Sequence, residues 1–393
     1  MAMRESLACN LLKIFVRGNH CALIRIVTSF LFLFLLMGTA VGQSTLFTNE
    51  KAVGLVRRGA DKIYGMEPDS AWYFIRQVDR LLPGHPVVPL MKAELVLWQN
   101  IPILRDSVFV VFDTYLTEAV GKSLALHPEN PDRTFFEMSA RGLMAEYHAD
   151  NGEYMRSFNE ASRVYTLLKT TFDQTDVYPE FLFTAGIYNY FREVYPERHP
   201  VYKPLMWFFK SGDKELGLEQ IRMATQRSLI SRVEAVVYLS YIYLRYEEDG
   251  KKAQSYMKGL YEAYPQNPYI IAKYLESLNV PGSYDRITPH MTDKLIRQEK
   301  VYYKLAGYVF KGIYLEKAVK NDTQAFDHYM MAVSYGESLS AYGDYFKSLA
   351  YLGAGNVLKR GGRTEAANRY FSLAVQHAQT REVEQEAKHA MVP

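Results

Sequence analysis

The stretch YPEFLFTAGIYNYFREVYPERHPVYKPLMWFFKSGDKELGLEQI, residues 178–221, decides the fold because it alone interrupts an otherwise regular helical pattern. Two aromatic runs, Phe181–Tyr195 and Tyr202–Phe209, flank a segment that carries prolines at 196, 200 and 204. Proline fixes φ and lacks an N–H group, so these prolines predict a break in the helix. We expect a new helix where Ser211 or Asp213 can cap it, because acids such as Asp213 and Glu215 favour the positive end of a helix dipole.

The later part of this stretch resembles a known sequence family. The string GIYNYF and the following SGDKELGL are similar to the motif of a tetratricopeptide-like family of eukaryotic inclusion-body-clearance proteins and their bacterial relatives. The residues that match the motif are Ser211, Gly212, Asp213, Glu215, Leu216, Gly217 and Leu218, with Lys214 where the family usually has Arg. The resemblance covers only this part of the chain. It implies a helical-repeat fold and a non-catalytic role, and it carries over no active site.

Residues 1–42 have the pattern of a signal peptide. Basic residues precede the apolar run Ile26–Met37, and the small residues Ala40 and Gly42 follow it. We expect cleavage at about residue 42 and export to the periplasm, with peripheral association with the outer membrane as an option. The alternative is an uncleaved anchor, although the apolar run is shorter than the roughly twenty residues that cross a bilayer. The eukaryotic members of the family have no export signal, so their cellular role is not transferred.

Removing the leader leaves a neutral chain without cysteine. Four of the 46 Lys+Arg and one of the 43 Asp+Glu lie in residues 1–42, which leaves 42 of each, and Cys9 and Cys21 lie there too. A neutral chain with no basic tract lacks the charge on which nucleic-acid binding depends. We therefore expect no nucleic-acid partner. Without cysteines, the chain must be held by its core and has no thiolate ligand for a metal.

The remaining chain shows a small-residue signature typical of tetratricopeptide repeats. A small residue early in the second helix lets two helices approach closely, and apolar residues four and seven positions later share its face. The segments that fit this spacing are Ala71-Ile75-Val78, Ala253-Met257-Leu260, Ala325-Tyr329-Ala332 and Ala367-Phe371-Ala374. The pattern predicts an all-α, tetratricopeptide-like helical-repeat solenoid of about nine to eleven helix pairs, at roughly 34 residues per repeat.

This pattern divides the chain into five segments. They are the signal peptide (1–42), N-terminal helical repeats (43–177), the Pro-interrupted aromatic insertion with its motif helix (178–221), central repeats (222–280) and C-terminal repeats (281–393). Val280–Thr292 is the best candidate for an irregular connection. Ser231–Arg245 is apolar on nearly every face, and its length favours a buried helix over a strand.

Residues that carry chemistry are few. The histidines after residue 42 include no pair at three- to five-residue spacing, so no helix face presents two imidazoles to a zinc ion. Gly353 and Gly355 lack the third glycine of a dinucleotide motif and are typical of helix packing. Asp213 and Glu215 fit the ordinary pattern of acids in the first turn of a helix. We therefore expect no cofactor and no metal, and we assign no catalytic residue.

Tyrosine is the feature that points to a function. The chain has 31 Tyr and 21 Phe, and a tyrosine ring can pack while its hydroxyl stays hydrated or bonds a partner. We expect a non-enzymatic scaffold of the cell envelope that binds a protein or peptide partner on the concave face of the solenoid. The predicted partner contacts are Tyr188, Tyr190, Tyr202 and Trp207. Trp207 has a second interpretation, as a wedge between helices.

The alternative function is a polysaccharide-active enzyme built on an α/α toroid, a closed ring of helix pairs. Such an enzyme needs two carboxylates that face one cleft, together with aromatic platforms for sugar rings. The chain has the aromatic residues, but its sequence does not nominate the acid pair. The repeated small residues favour the scaffold, because toroids do not carry this signature.

Overall fold

The computed structural model describes residues 45–198, 200, 203, 207 and 209–391, and within these ranges the chain forms seventeen α-helices and no β-strand. The predicted all-α helical-repeat fold is therefore confirmed. The predicted signal peptide, residues 1–42, lies outside the described residues. The helices are α1 (Glu50–Tyr64), α2 (Pro68–Leu81), α3 (Val87–Asn100), α4 (Asp106–Leu124), α5 (Pro131–Asp150), α6 (Tyr154–Leu168), α7 (Phe181–Arg198), α8 (Lys214–Arg227), α9 (Arg232–Arg245), α10 (Gly250–Ala263), α11 (Pro268–Asn279), α12 (Pro289–Ile296), α13 (Val301–Tyr314), α14 (Asp322–Gly336), α15 (Asp344–Arg360), α16 (Thr364–Gln376) and α17 (Arg381–Ala390).

Consecutive helices pack in pairs, from α1 with α2 to α15 with α16, and α17 packs on α16. The described residues thus form eight pairs and one further helix, fewer than the predicted nine to eleven. The number of pairs is lower because several helices are longer than the helices of a 34-residue repeat, so each such pair uses more residues. Helices α4 and α5, for example, have 19 and 20 residues.

Small residues set the distance between paired helices, as the repeat signature predicts. Ala71, Ala253, Ala325 and Ala367 are all completely buried. On the opposite helix, a Cβ atom added to Gly355 of α15 would lie 2.5 Å from the ring of Phe371. The Phe371 side chain of α16 therefore packs directly against the backbone of α15.

The break in the aromatic insertion comes later than predicted. Helix α7 continues through Pro196 to Arg198. The missing N–H of Pro196 removes one backbone hydrogen bond near the end of the helix, and its ring is buried. The predicted new helix is confirmed as α8, which begins at Lys214. Asp213 is its N-cap and accepts a hydrogen bond from the Leu216 N–H at 2.9 Å.

Two other sequence predictions are refined by the structure. The expected buried helix Ser231–Arg245 is α9, which begins one residue later. The expected irregular connection Val280–Thr292 is shorter than predicted, because α12 already begins at Pro289. The Thr288 side chain caps that helix by accepting a hydrogen bond from the Met291 N–H.

The array of helix pairs curves so that its first helices contact later ones. Asp61 of α1 accepts a hydrogen bond from the hydroxyl of Tyr264, which precedes α11, at 2.7 Å. The hydroxyl of Tyr303 in α13 donates to the carbonyl of Ile101, just after α3, at 2.6 Å. The described residues from Thr45 onward form one compact unit, and the segment boundaries predicted within it stay a prediction. Because of the curl, the first helices of several pairs face a common interior.

Candidate functional site

The family-like motif lies where α8 crosses α7. A Cβ atom added to Gly217 would lie 2.5 Å from the backbone nitrogen of Tyr190 and 2.8 Å from the carbonyl oxygen of Gly186. Next to this contact, the buried Asn189 side-chain amide donates to Oε1 of Gln220 at 2.8 Å. The crossing is therefore closer than any side chain at position 217 would allow.

The rest of the motif surrounds this crossing. The Gly212 N–H donates to Oε1 of Glu193 in α7 at 3.0 Å. Leu218 is half-buried and packs in the small apolar cluster that α7, α8 and α9 share. The solvent-exposed motif residues are Ser211, Asp213, Glu215 and Leu216. These contacts hold α8 against α7 and give the motif a structural explanation.

Two of the four predicted partner contacts are engaged within the molecule. Tyr190 is completely buried, and its hydroxyl donates to Oε1 of Glu247. The prediction of a partner contact is wrong for Tyr190, because no surface of its ring is open. Tyr188 is half-buried, and its hydroxyl donates to the carbonyl of Lys210.

The other two predicted contacts lie in the segment between α7 and α8. Trp207 exposes 86% of its surface, so the wedge interpretation is wrong. Its role as a partner contact stays a prediction. Tyr202 lies outside the described residues.

A tyrosine-lined cavity lies in the common interior of the array. Its volume is about 330 Å³, and α5, α9, α10 and α11 form its walls. Tyr241 exposes 43% of its surface there, so the cavity is open to solvent. The residues that give its wall polar and aromatic character are Glu146, Tyr238, Tyr241, Tyr269, Lys273 and Glu276.

Helical spacing brings these residues to one surface. Tyr269, Lys273 and Glu276 are four and three residues apart on α11, so they share a face of that helix. Tyr238 and Tyr241 are three residues apart on α9 and share a face in the same way. Helices α9 and α11 are each the first helix of a pair, and the first helices form the layer that faces the interior.

One side of the cavity holds a compact group of charges. Lys273 Nζ lies 3.1 Å from Oε2 of Glu276, and the Arg245 guanidinium pairs with the other oxygen of that carboxylate. Burial opposes ionisation of Glu276, but the charges of Lys273 and Arg245 hold its pKa below the usual value. The Lys273 ammonium also lies over the Tyr269 ring, 5.7 Å from its centroid. Both cations are thus occupied by one carboxylate.

The other acids of the interior have raised pKa values. Burial, and then the charge of Asp150, raises the pKa of Glu146 to about 6. Burial raises the pKa of Glu234 to about 7, although its carboxyl accepts a hydrogen bond from the Tyr64 hydroxyl at 3.1 Å. Burial, and then the charge of Glu234, raises the pKa of Glu94. Within the described residues these three glutamates form no ion pair.

Aromatic side chains link these acids to the wall of the cavity. The Trp98 indole donates to Oε2 of Glu94 at 3.0 Å, and its ring packs edge to face on the wall residue Tyr269 with centroids 5.6 Å apart. Tyr64 packs on Trp98 in the same way at 5.0 Å. Rings from α1, α3 and α11 therefore form a continuous contact behind the cavity.

No motif in the sequence singles out the cavity. The signal available for it was an acid inside a strongly apolar helix, as with Glu234 in VEAVVYLSYIYL and Glu276 in YIIAKYLESL. A buried charge must be paired or line a solvated cavity. The sequence does not show which of the two applies, because the partners come from different helices.

Two further features of the described residues bear on function. No group of three or more His, Cys, Asp or Glu side chains there is arranged to hold a metal ion. Along the same part of the chain, every helix is too short or too polar to span a bilayer.

The fold and cavity define an all-α helical-repeat protein with a tyrosine-lined interior. No protein-family model and no curated protein matches the sequence, so the resemblance of residues 186–221 to the inclusion-body-clearance family stays a prediction.

Several solved structures of tetratricopeptide type are similar to this chain. Two human IFIT1 dimers, with PPP-AAAA and with m7Gppp-AAAA, are each 15% identical and cover 86% of this chain, with TM-scores of 0.36 and 0.37. The match covers 74% and 75% of the respective IFIT1 chains. Yeast Tom70 is 13% identical, with 84% of this chain and 86% of that chain covered and a TM-score of 0.28.

Proposed function

We propose that this protein is a non-enzymatic helical-repeat scaffold that binds a protein or peptide partner in the cavity between its first helices. The observation that supports the proposal is the open cavity of about 330 Å³ whose wall includes Tyr238, Tyr241 and Tyr269. Stacked helix pairs commonly use their inner surface for such binding. Tyrosine suits this surface because its ring buries a large area while its hydroxyl can bond a partner.

The volume of the cavity limits the size of the partner segment that can enter it. Its volume lies near the lower end of the roughly 300–1,000 Å³ of ligand pockets. A folded domain does not fit such a space, but one or two side chains of an extended segment do. The partner is therefore expected to insert a segment and to keep its folded part outside.

The cell envelope is the proposed location. The basic, apolar and small residues of positions 1–42 support export to the periplasm, with the outer membrane as a site of peripheral association. Fractionation of the source cells tests this. Recovery in the periplasmic fraction is expected, and recovery with the cytoplasmic proteins would contradict the proposed location.

Site-specific cross-linking tests the binding proposal. A photoreactive phenylalanine analogue at position 241 lies in the cavity, and the same analogue at position 73 lies on a second helix, where Tyr73 is 53% exposed. The expected result is a defined protein adduct from position 241 that position 73 does not give. Identical adducts from both positions, or none above background from position 241, would contradict the proposal.

One observation favours a second candidate, the polysaccharide-active enzyme. Glu146 and Glu276 line the same cavity, and their pKa values are shifted in opposite directions, as in a glycosidase acid and its partner carboxylate. Against this candidate, Glu276 is 4% exposed and already pairs with Lys273 and Arg245. A carboxylate held in this way is poorly placed to reach a sugar ring.

The two candidates make opposite predictions for a glycan assay. The purified protein is incubated with a panel of soluble polysaccharides, and new reducing ends are measured. The scaffold proposal predicts no release above the level of the Glu146→Gln variant. Release that Glu146→Gln abolishes would establish the enzyme instead.

A further inference from the structure

Helix α6 presents large apolar side chains to solvent. Tyr154, Met155 and Phe158 expose 71%, 73% and 65% of their surface, and we call these three residues the apolar stripe. The first two lie four and three positions before Phe158, so all three share one side of the helix. Only Leu168, the last residue of α6, is fully buried in this helix. Single exposed apolar residues are ordinary, but a contiguous group marks an interaction surface.

The side of α6 that faces the protein is polar along the same turns. Glu160 accepts a hydrogen bond from the guanidinium of the buried Arg141 in α5 at 2.6 Å. Between α4, α5 and α6 lies a cavity of about 670 Å³ whose wall includes Asp113, His148 and Arg163. A surface helix normally turns its apolar side to the core and its charged side to water. The first turns of α6 do the reverse, which is the arrangement of a helix whose apolar side meets a second apolar medium.

Basic side chains lie at the C-terminal end of the stripe. Tyr165 follows Phe158 by seven residues and lies on the same face of α6. The Lys169 ammonium lies over the Tyr165 ring, 5.2 Å from its centroid. The Lys210 N–H donates to the Tyr165 hydroxyl at 3.0 Å, and the Lys210 ammonium lies 4.2 Å from the centroid of the Phe172 ring. Two lysines held on aromatic rings therefore flank the stripe.

This end of the stripe carries a positive charge. Lys169 and Lys210 are exposed, and neither forms an ion pair with a carboxylate among the described residues. The other exposed charged residues within residues 162–174 are Arg163 and Asp173. Three cations and one acid thus make the surface beside the apolar stripe positive.

We propose that this surface of α6 lies on an anionic phospholipid bilayer, with the apolar stripe in the interface and with Lys169 and Lys210 beside lipid phosphates. The inference rests on the proposed location in the cell envelope and names the surface that contacts the membrane there. Aromatic rings favour the membrane–water interface, and a lysine near an anionic leaflet adds electrostatic attraction. A helix bound in this way lies in the plane of the interface and does not cross the bilayer.

A second copy of this chain matches the surface less well. In a symmetric dimer the same patch would face itself, and this patch is positive. Like charges disfavour such a contact, whereas lipid phosphates neutralise the lysines. Charge complementarity therefore favours the anionic bilayer over a second copy.

Vesicle co-sedimentation tests the inference. The protein is used without residues 1–42, because the apolar run of the leader would itself bind lipid and the residues from Thr45 onward form a compact unit. Vesicles of phosphatidylethanolamine with phosphatidylglycerol should bind the protein at least about tenfold more tightly than vesicles of phosphatidylcholine, since each lysine near an anionic surface contributes about fivefold. Equal binding to both kinds of vesicle, or binding to neither, would overturn the inference.

Variants that remove a charge locate the contact. Lys169→Gln and Lys210→Gln should each weaken binding to the anionic vesicles about fivefold. The matched control is Lys51→Gln on α1, where the lysine is exposed, and binding should not change. Equal losses in all three variants would mean that the protein binds through general charge, and the inference would fail.

A fluorescent label shows which side chains enter the interface. The chain has no cysteine after residue 42, so Phe158→Cys gives a single site for a polarity-sensitive fluorophore. Tyr73→Cys on α2 is the matched control, because Tyr73 is also more than half exposed on a second helix. The emission should shift to the blue with anionic vesicles for the label at position 158 and not at position 73. A shift at both positions, or at neither, would overturn the inference.

Further arms identify another occupant and separate this inference from the cavity proposal. A dimer in sedimentation velocity that Phe158→Ser abolishes, without vesicle binding, would assign the stripe to a second copy. A defined protein adduct from a photoreactive analogue at position 158, again without vesicle binding, would assign it to a protein. Either result would overturn the membrane contact, and an adduct from position 241 would still support the scaffold. Binding to anionic vesicles with no adduct from position 241 would support the membrane contact and contradict the cavity proposal.

Discussion

The close crossing of α7 and α8 makes a quantitative prediction for Gly217→Ala. The added Cβ would lie 2.5 Å from the Tyr190 nitrogen and 2.9 Å from its Cα, both backbone atoms that cannot rotate away. Ordinary contacts between such atoms need about 3.5 Å or more, so the helices must separate by about 1 Å. We expect this overpacking to lower the free energy of unfolding by about 1–3 kcal/mol.

Gly259→Ala is the matched control, because Gly259 is exposed in α10 and an added Cβ would meet nothing within 4 Å. That change should stabilise the protein by about 0.5–1 kcal/mol, since alanine loses less backbone entropy than glycine. The midpoint of urea unfolding, followed by far-ultraviolet circular dichroism, measures both variants. If Gly217→Ala proves as stable as Gly259→Ala, the reasoning about the crossing is refuted.

Three further predictions concern other parts of the molecule. Ala367→Phe places a ring in a completely buried helix contact and should lower the free energy of unfolding by about 1–3 kcal/mol; an unchanged urea midpoint would contradict the repeat register. Glu234→Gln should stabilise the protein by about 1–3 kcal/mol at pH 8 and not at pH 4. Burial raises the pKa of Glu234 from 4.5 to about 7, so the carboxyl ionises at lower pH in the unfolded chain than in the folded protein, and its ionisation opposes folding. Urea titrations at both pH values check this, and a pH-independent difference would count against it. Trp207→Ala should change stability by less than about 0.5 kcal/mol because the ring is 86% exposed, and a larger loss in the same titration would show that it supports the fold.

Local spacing was sufficient to predict the fold. The positions of Ala325, Tyr329 and Ala332 depend only on which residues share a helix face, and all three are completely buried. The cap at Asp213 is local in the same sense, since its carboxylate bonds an N–H three residues later. Such features follow from neighbouring residues, so the sequence alone reveals them.

The cavity depends on contacts that the sequence does not show. Glu276 pairs with Arg245 from another helix, and Arg232, two residues before Glu234, pairs with Asp61 of α1. These outcomes depend on how tightly the array curls. The prediction for Tyr190 was wrong because the residues that bury it lie on other helices, α8 and α9.

Hydrogen exchange of the purified protein, with and without the partner captured at position 241, tests the central claim most directly. Binding inside the array should slow exchange in α9 and α11, which carry Tyr238, Tyr241 and Tyr269, and should leave the second helices α2 and α16 unchanged. Slower exchange confined to second helices, with α9 and α11 unaffected, would show that the partner binds outside the cavity and would contradict the claim.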